Sequence, residues 1–181
     1  MLLEYRNEEF EDLSYLIQLN KKGWDDGVLT NKNIIHYCRD WLDVRNSNKL
    51  EMWSGYISKQ AMKAYLNDTP RIVQREHSLP VQIVLPSLFN EQFDIAKDPK
   101  KLEEFYLAEY GIFNLVTRQE NSELKSFQTP ETFINPESSY KSAGIELVDC
   151  NSMRDYLFTE RTGRGQWYHR PNKGKLEHLL K

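Results

Sequence analysis

Pro70 separates two kinds of sequence in this chain, and the break limits the folds open to it. Before it, apolar residues recur at helical spacing. Phe10, Leu13, Leu16 and Ile17 share one face of a segment over residues 7–21. Thr30 can cap a second helix reaching about Asn46, with Ile34, Ile35, Cys38, Trp41 and Leu42 along its stripe. Ser58 caps a third, carrying Ala61, Met62 and Tyr65. It stops in Asn67-Asp68-Thr69-Pro70, because proline has no amide hydrogen with which to extend a helix. After Pro70 the segments shorten and β-branched residues enter. Arg71–His77 reads as a strand, Val81–Leu85 as another and Ile112–Val116 as a third. The expected class is therefore α+β, with N-terminal helices packed on a small sheet.

Local signals place further elements. Asp98-Pro99 is an N-cap followed by proline at the first helical position; Leu102, Phe105 and Tyr106 follow on one face and Gly111 is the stop. Thr117-Arg118-Gln119-Glu120 is a capping box, which starts a helix running to about Phe127. Gln128 to Ser139 reads as a loop. Ser139–Ala143 reads as a short helix turned off by Gly144, ahead of an apolar-polar segment over Ile145–Val148.

At 181 residues with 39 % hydrophobic side chains, the chain can bury a core. Residues 1–160 read as a single α+β domain. The remaining 161–181 read as a basic tail, mobile or ordered by a ligand. No apolar run approaches eighteen residues and no basic-flanked apolar leader is present, so a cytoplasmic chain with no membrane partner is expected. Cys38 and Cys150 stand far apart in sequence and are expected as reduced, buried thiols. No structural zinc is expected, since such sites use closely spaced Cys or His pairs.

Net charge is −3, which speaks against indiscriminate nucleic-acid binding, but it is unevenly placed. Arg161 to Lys181 holds six basic residues against Glu177, a charge of +5, leaving −8 for the rest. Within it Arg161, Arg164, Arg170, Lys173 and Lys175 are candidate phosphate contacts, and Trp167 with Tyr168 could stack on bases. His36, Trp24, Trp41 and Trp53 read as packing residues, and Asp25, Asp26 and Asp94 as solvated acids. No Walker loop, dinucleotide fingerprint or Ser-His-Asp signature occurs.

The stretch richest in chemistry is Arg75-Glu76-His77-Ser78-Leu79-Pro80, at the end of a strand. A carboxylate there can hold a hard divalent cation, and an imidazole titrating near neutrality can take a proton from water. Downstream, Ile112-Phe113-Asn114-Leu115-Val116 is a strand with a polar Asn, and the capped helix after it has a second one, Asn121. Taken singly, His77 reads as a structural or surface histidine, and Asn114 and Asn121 as turn or cap residues.

Taken together over about residues 71–127, the order strand–acid–His–Pro, strand–Asn, capped helix–Asn resembles the HNH, or ββα-metal, nucleases. The resemblance implies Glu76 as a metal ligand, His77 as the general base, Asn114 as the residue orienting that base and Asn121 as a second metal ligand. It implies Mg²⁺ or a similar ion, DNA as partner and hydrolysis of its phosphodiesters, in a restriction, homing or phage setting. A homodimer would suit a palindromic target. The chain departs from the family in the long 81–111 connection, in lacking paired zinc cysteines, and in having Asn in place of a final His. The alternative from another class is a non-catalytic nucleic-acid-binding or regulatory interaction module that uses the basic tail.

Overall fold

The computed structural model describes residues 4–43, 52–67, 69–151, 160–161 and 167–168. It has the α+β class expected. Its contacts divide the chain into two compact units: Met1–Ser47 with Leu79–Ile112, and Asn48–Ser78 with Phe113–Lys181. Among the described residues no helix is long and apolar enough to cross a membrane.

The first unit is helical. It holds α1 (Glu4–Asp25), α2 (Asn31–Asp43), α4 (Val81–Phe89), α5 (Phe93–Ala96) and α6 (Pro99–Phe105). α1 packs on α6 and α2 on α4. Phe10, Leu13 and Ile17 are buried as their spacing requires, and the Phe10 ring sits 5.5 Å from that of Tyr106. Asp98 caps α6 by accepting from the amides of Lys100 and Lys101. Gly111 ends the π-helical turn, Tyr106–Tyr110, that follows. The Thr30 hydroxyl bonds the Asn33 side chain at the start of α2.

Val81–Leu85 is not the expected strand; it opens helix α4. Val84, Leu85, Leu88 and Phe89 are buried at one-turn spacing, so the segment meets its core as a helix does. Burial of that face outweighs the β-branched residues and the backbone bond lost at Pro86 inside the helix.

The second unit is built on a four-stranded sheet in the order β2-β3-β1-β4. Its strands are β1 (Trp53–Ser58), β2 (Val73–His77), β3 (Phe113–Thr117) and β4 (Leu147–Asp149). β1 and β3 are parallel; the other pairings are antiparallel. β1 has no counterpart in the sequence expectations. Each parallel strand runs straight into a helix: β1 into α3 (Lys59–Leu66), β3 into α7 (Arg118–Leu124). Ser58 caps α3 by accepting from the Ala61 amide, and Thr117 with Glu120 forms the expected capping box. The Ser58 hydroxyl also donates to Glu120 Oε2 at 2.6 Å, tying the two helix starts together.

Residues alternate across a strand, so each face of the sheet is fixed by register. Glu76 lies opposite Asn114, and His77 opposite Phe113. Val116, Leu124, Tyr140 and Ile145 form a buried cluster on the Asn114 side, where α8 (Pro136–Ser142) supplies Tyr140. Asn135 caps α8 and Gly144 ends its turn with φ 67°. Gly55 bends β1 at φ 93°, and an added Cβ there would collide with the Asn151 amide. Two further strands, β5 (Glu160–Arg161) and β6 (Trp167–Tyr168), form an antiparallel pair.

Cys38 and Cys150 carry free, buried thiols, and burial pushes each up to about 11. His36 is exposed, Trp53 is buried, and half-buried Trp24 donates to Asn90 Oδ1 at 2.8 Å. Trp41 lies on α2, where its side chain is outside the described residues. Asp25 and Asp26 pair with Lys21 and Lys22 on the α1 surface.

Candidate functional site

Asn114 is the only polar residue between the apolar members of a fully buried strand, and its amide is the hub of a polar network. Its Oδ1 accepts from the Ser54 hydroxyl. Its Nδ2 donates to Ser78 Oγ at 2.9 Å and to the Tyr140 hydroxyl oxygen at 2.7 Å. Both amide hydrogens and the carbonyl are thus used inside the protein. Behind Tyr140 lies Glu76: the phenol bonds Oε2, and Gln128 Nε2 donates to Oε1 at 2.6 Å.

Burial pushes the Glu76 carboxyl up to about 8, against the lowering pull of the Gln128 bond. At neutral pH it is mostly protonated. The phenol donates to Glu76 and its oxygen accepts from Asn114, so the Tyr140 hydroxyl is used inside the protein. Ser78 differs: its oxygen accepts from Asn114, and among the described residues its own hydrogen is left over.

Ser78 lines a cleft of about 940 Å³. Ser54, Asn114 and Tyr140 line it too, with Tyr56, Pro136, Ile145 and Leu147 as apolar wall. Glu137, Lys141 and Glu146 are its charged members. Glu146 is held by Lys59 at 2.5 Å, whereas Lys141 makes no ion pair among the described residues.

In comparisons with known proteins, no family model, no curated protein and no solved structure matched the chain. The site therefore has to be read from its own chemistry.

Of the residues singled out from sequence, the structure brings Glu76 and Asn114 together through Tyr140. His77 goes to the other face of β2, where its ring meets Phe113 edge-on at 6.5 Å beside the Arg75 guanidinium, 5.1 Å from that same ring. Asn121 is half-buried on α7, and none of the hydrogen bonds of Glu76 runs to it among the described residues. Glu76, expected as a metal ligand, is bonded internally to Gln128 and Tyr140, and His77, expected as the base, lies on the opposite face of β2 from it. Among the described residues no three His, Cys, Asp or Glu side chains gather as ligands. In the tail, Arg161 and Trp167 are cross-strand partners. Arg164, Arg170, Lys173 and Lys175 lie outside the described residues.

Sequence reasoning missed Ser54, Ser78, Gln128 and Tyr140 as site residues. One signal pointed their way: a lone Asn inside Phe-Asn-Leu-Val requires buried partners somewhere in the chain.

Proposed function

We propose that the second unit is a ligand-binding module and that its cleft takes a flat molecule bearing hydrogen-bond acceptors. One observation carries the reading: Asn114 donates to Ser78 Oγ on the cleft wall, which leaves the Ser78 hydroxyl hydrogen for an acceptor in the cleft. Fixed donors lose little freedom when an acceptor arrives, which favours binding. The apolar wall supplies burial for the rest of the ligand, and the volume suits a molecule of drug-like size.

Saturation-transfer NMR with uracil, nicotinamide and benzoate at millimolar concentration tests this. At least one is expected to bind, and Ser78→Ala to weaken it by about three- to tenfold, the worth of one hydrogen bond. Absence of binding by all three, or indifference to Ser78→Ala, would overturn the reading.

A second reading, phosphodiester hydrolysis of the ββα-metal kind, is favoured by one observation. The antiparallel pair β2–β3 leads directly into capped α7, with Glu76 across from Asn114. Incubation with supercoiled plasmid in Mg²⁺, Mn²⁺ or EDTA checks it. Metal-dependent nicking lost in His77→Ala would support it; intact plasmid throughout would remove it.

A further inference from the structure

We propose that the ligand of the cleft is a nucleoside phosphate, its base held in the first cleft and its phosphate in a second one across the Gly144–Ile145 lip. The proposal rests on the binding reading above and adds to it the class of ligand.

The second cleft, of about 690 Å³, shares Gly144 and Ile145 with the first. The shared lip is low. Gly144 is exposed at φ 67°, and no heavy atom comes within 4 Å of where a Cβ would stand. One ligand can therefore lie across it.

The two clefts differ in chemistry. The first offers the Ser78 hydroxyl and the half-open ring of Tyr56, 40 % exposed, on which a base can stack. The second offers cations from two helices, Lys63 of α3 and Arg118 of α7, with the amides of Gln60, Asn67 and Gln119. Among the described residues neither Lys63 nor Arg118 makes an ion pair. The acids there are accounted for unequally. Glu120 is buried, its Oε2 taking donors from Ser58 and from both the amide and hydroxyl of Thr117. Glu123 accepts from Gln119 at 3.0 Å and is the exposed carboxylate opposing the cations. A forked guanidinium beside an ammonium suits the several oxygens of a phosphate. The ligand that matches both halves has a flat acceptor-bearing end and an anionic end.

Calorimetric titration of the full chain with the four common nucleosides, their 5′-monophosphates and inorganic phosphate tests the proposal. At least one monophosphate is expected to bind about tenfold more tightly than its nucleoside. The double change Lys63→Gln with Arg118→Gln should erase that margin and leave the nucleoside unchanged. Glu123→Gln should widen it, and Ser78→Ala should weaken nucleoside and monophosphate alike. Equal affinity for nucleoside and monophosphate would overturn the proposal while leaving the cleft a binding site. Binding of benzoate or nicotinamide but of no nucleoside would overturn it too. Silence from every probe would remove both readings together.

Discussion

The two units bury different chemistry. Among the described residues, the first buries a single polar side chain, Ser14, whereas the second buries Ser58, Glu76, Asn114, Thr117, Glu120, Gln128 and Ser139. Ser14 finds its partner one turn away on its own helix, where Gln18 Nε2 donates to it at 3.1 Å. Asn114 and Glu76 find theirs across the sheet, from Ser54, Ser78, Gln128 and Tyr140. Apolar burial is non-directional and tolerates substitution of similar volume. A buried polar network holds only when every member is present. The second arrangement is costly for a fold and useful for a site, because it fixes donors at a surface.

The sharpest way to break that comparison is to remove one polar member from each unit. Asn114→Leu keeps the volume and strands Ser54, Ser78 and Tyr140, so a loss of about 3 kcal/mol is expected. Ser14→Ala leaves the Gln18 amide its bonds to the Ser14 and Lys97 carbonyls, and should cost less than about 1 kcal/mol. Urea denaturation of the two variants reads the difference; equal costs would mean the network adds nothing special. Next in size is Gly55→Ala. Its positive φ costs roughly 1–3 kcal/mol with any side chain. The added Cβ also drives Asn151 off Asp149, whose Oδ1 it bonds at 3.1 Å. In an Asn151→Ala background the substitution should cost only the backbone part.

A smaller effect, spread over pH, separates the two buried carboxyl environments of the second unit. Glu120 has three donors on one oxygen; Glu76 has a single amide and a phenol. Burial raises Glu76 from the ordinary 4.5 to about 8, so between those values the folded chain keeps a proton that the unfolded chain releases. The Glu76 contribution to stability is therefore fully present below about 4.5 and falls as pH rises. The slope is at most about 1.4 kcal/mol per pH unit, ending near 8. Glu76→Gln should flatten that slope. Persistence of the slope in the variant would assign it to another group.

What the sequence made legible was local. The caps at Ser58, Asp98 and Thr117 act on amides two or three residues away, so their partners could be read beside them. Val81–Leu85 was ambiguous because a short apolar run looks alike in a buried strand and a buried helix. Glu76 and Asn114 were visible as polar residues in strands, yet their roles were not. Tyr140 stands 64 residues from Glu76, and Ser54 stands 60 from Asn114. Nothing near Tyr140 or Ser54 in sequence announces those meetings. His77 shows the other limit: adjacency to Glu76 in a strand means opposite faces, so neighbours in sequence are parted by the pleat.

The smallest expected effect lies at the cleft's rim and separates stability from recognition. Lys59 holds Glu146 at 2.5 Å, but the side chains are 41 % and 66 % exposed, so water already competes for both. Lys59→Ala should therefore change stability by less than about 0.5 kcal/mol. It nevertheless leaves an unpaired carboxylate on the cleft taken to hold the base of a ligand whose other end is an anion. A nucleoside should bind the variant as it binds the parent, while its monophosphate should bind slightly less well. That difference should vanish near 1 M salt, where charges interact over only about 3 Å. A loss shared equally by both ligands would mean that Lys59 shapes the wall, and that charge at this rim plays no part in recognition.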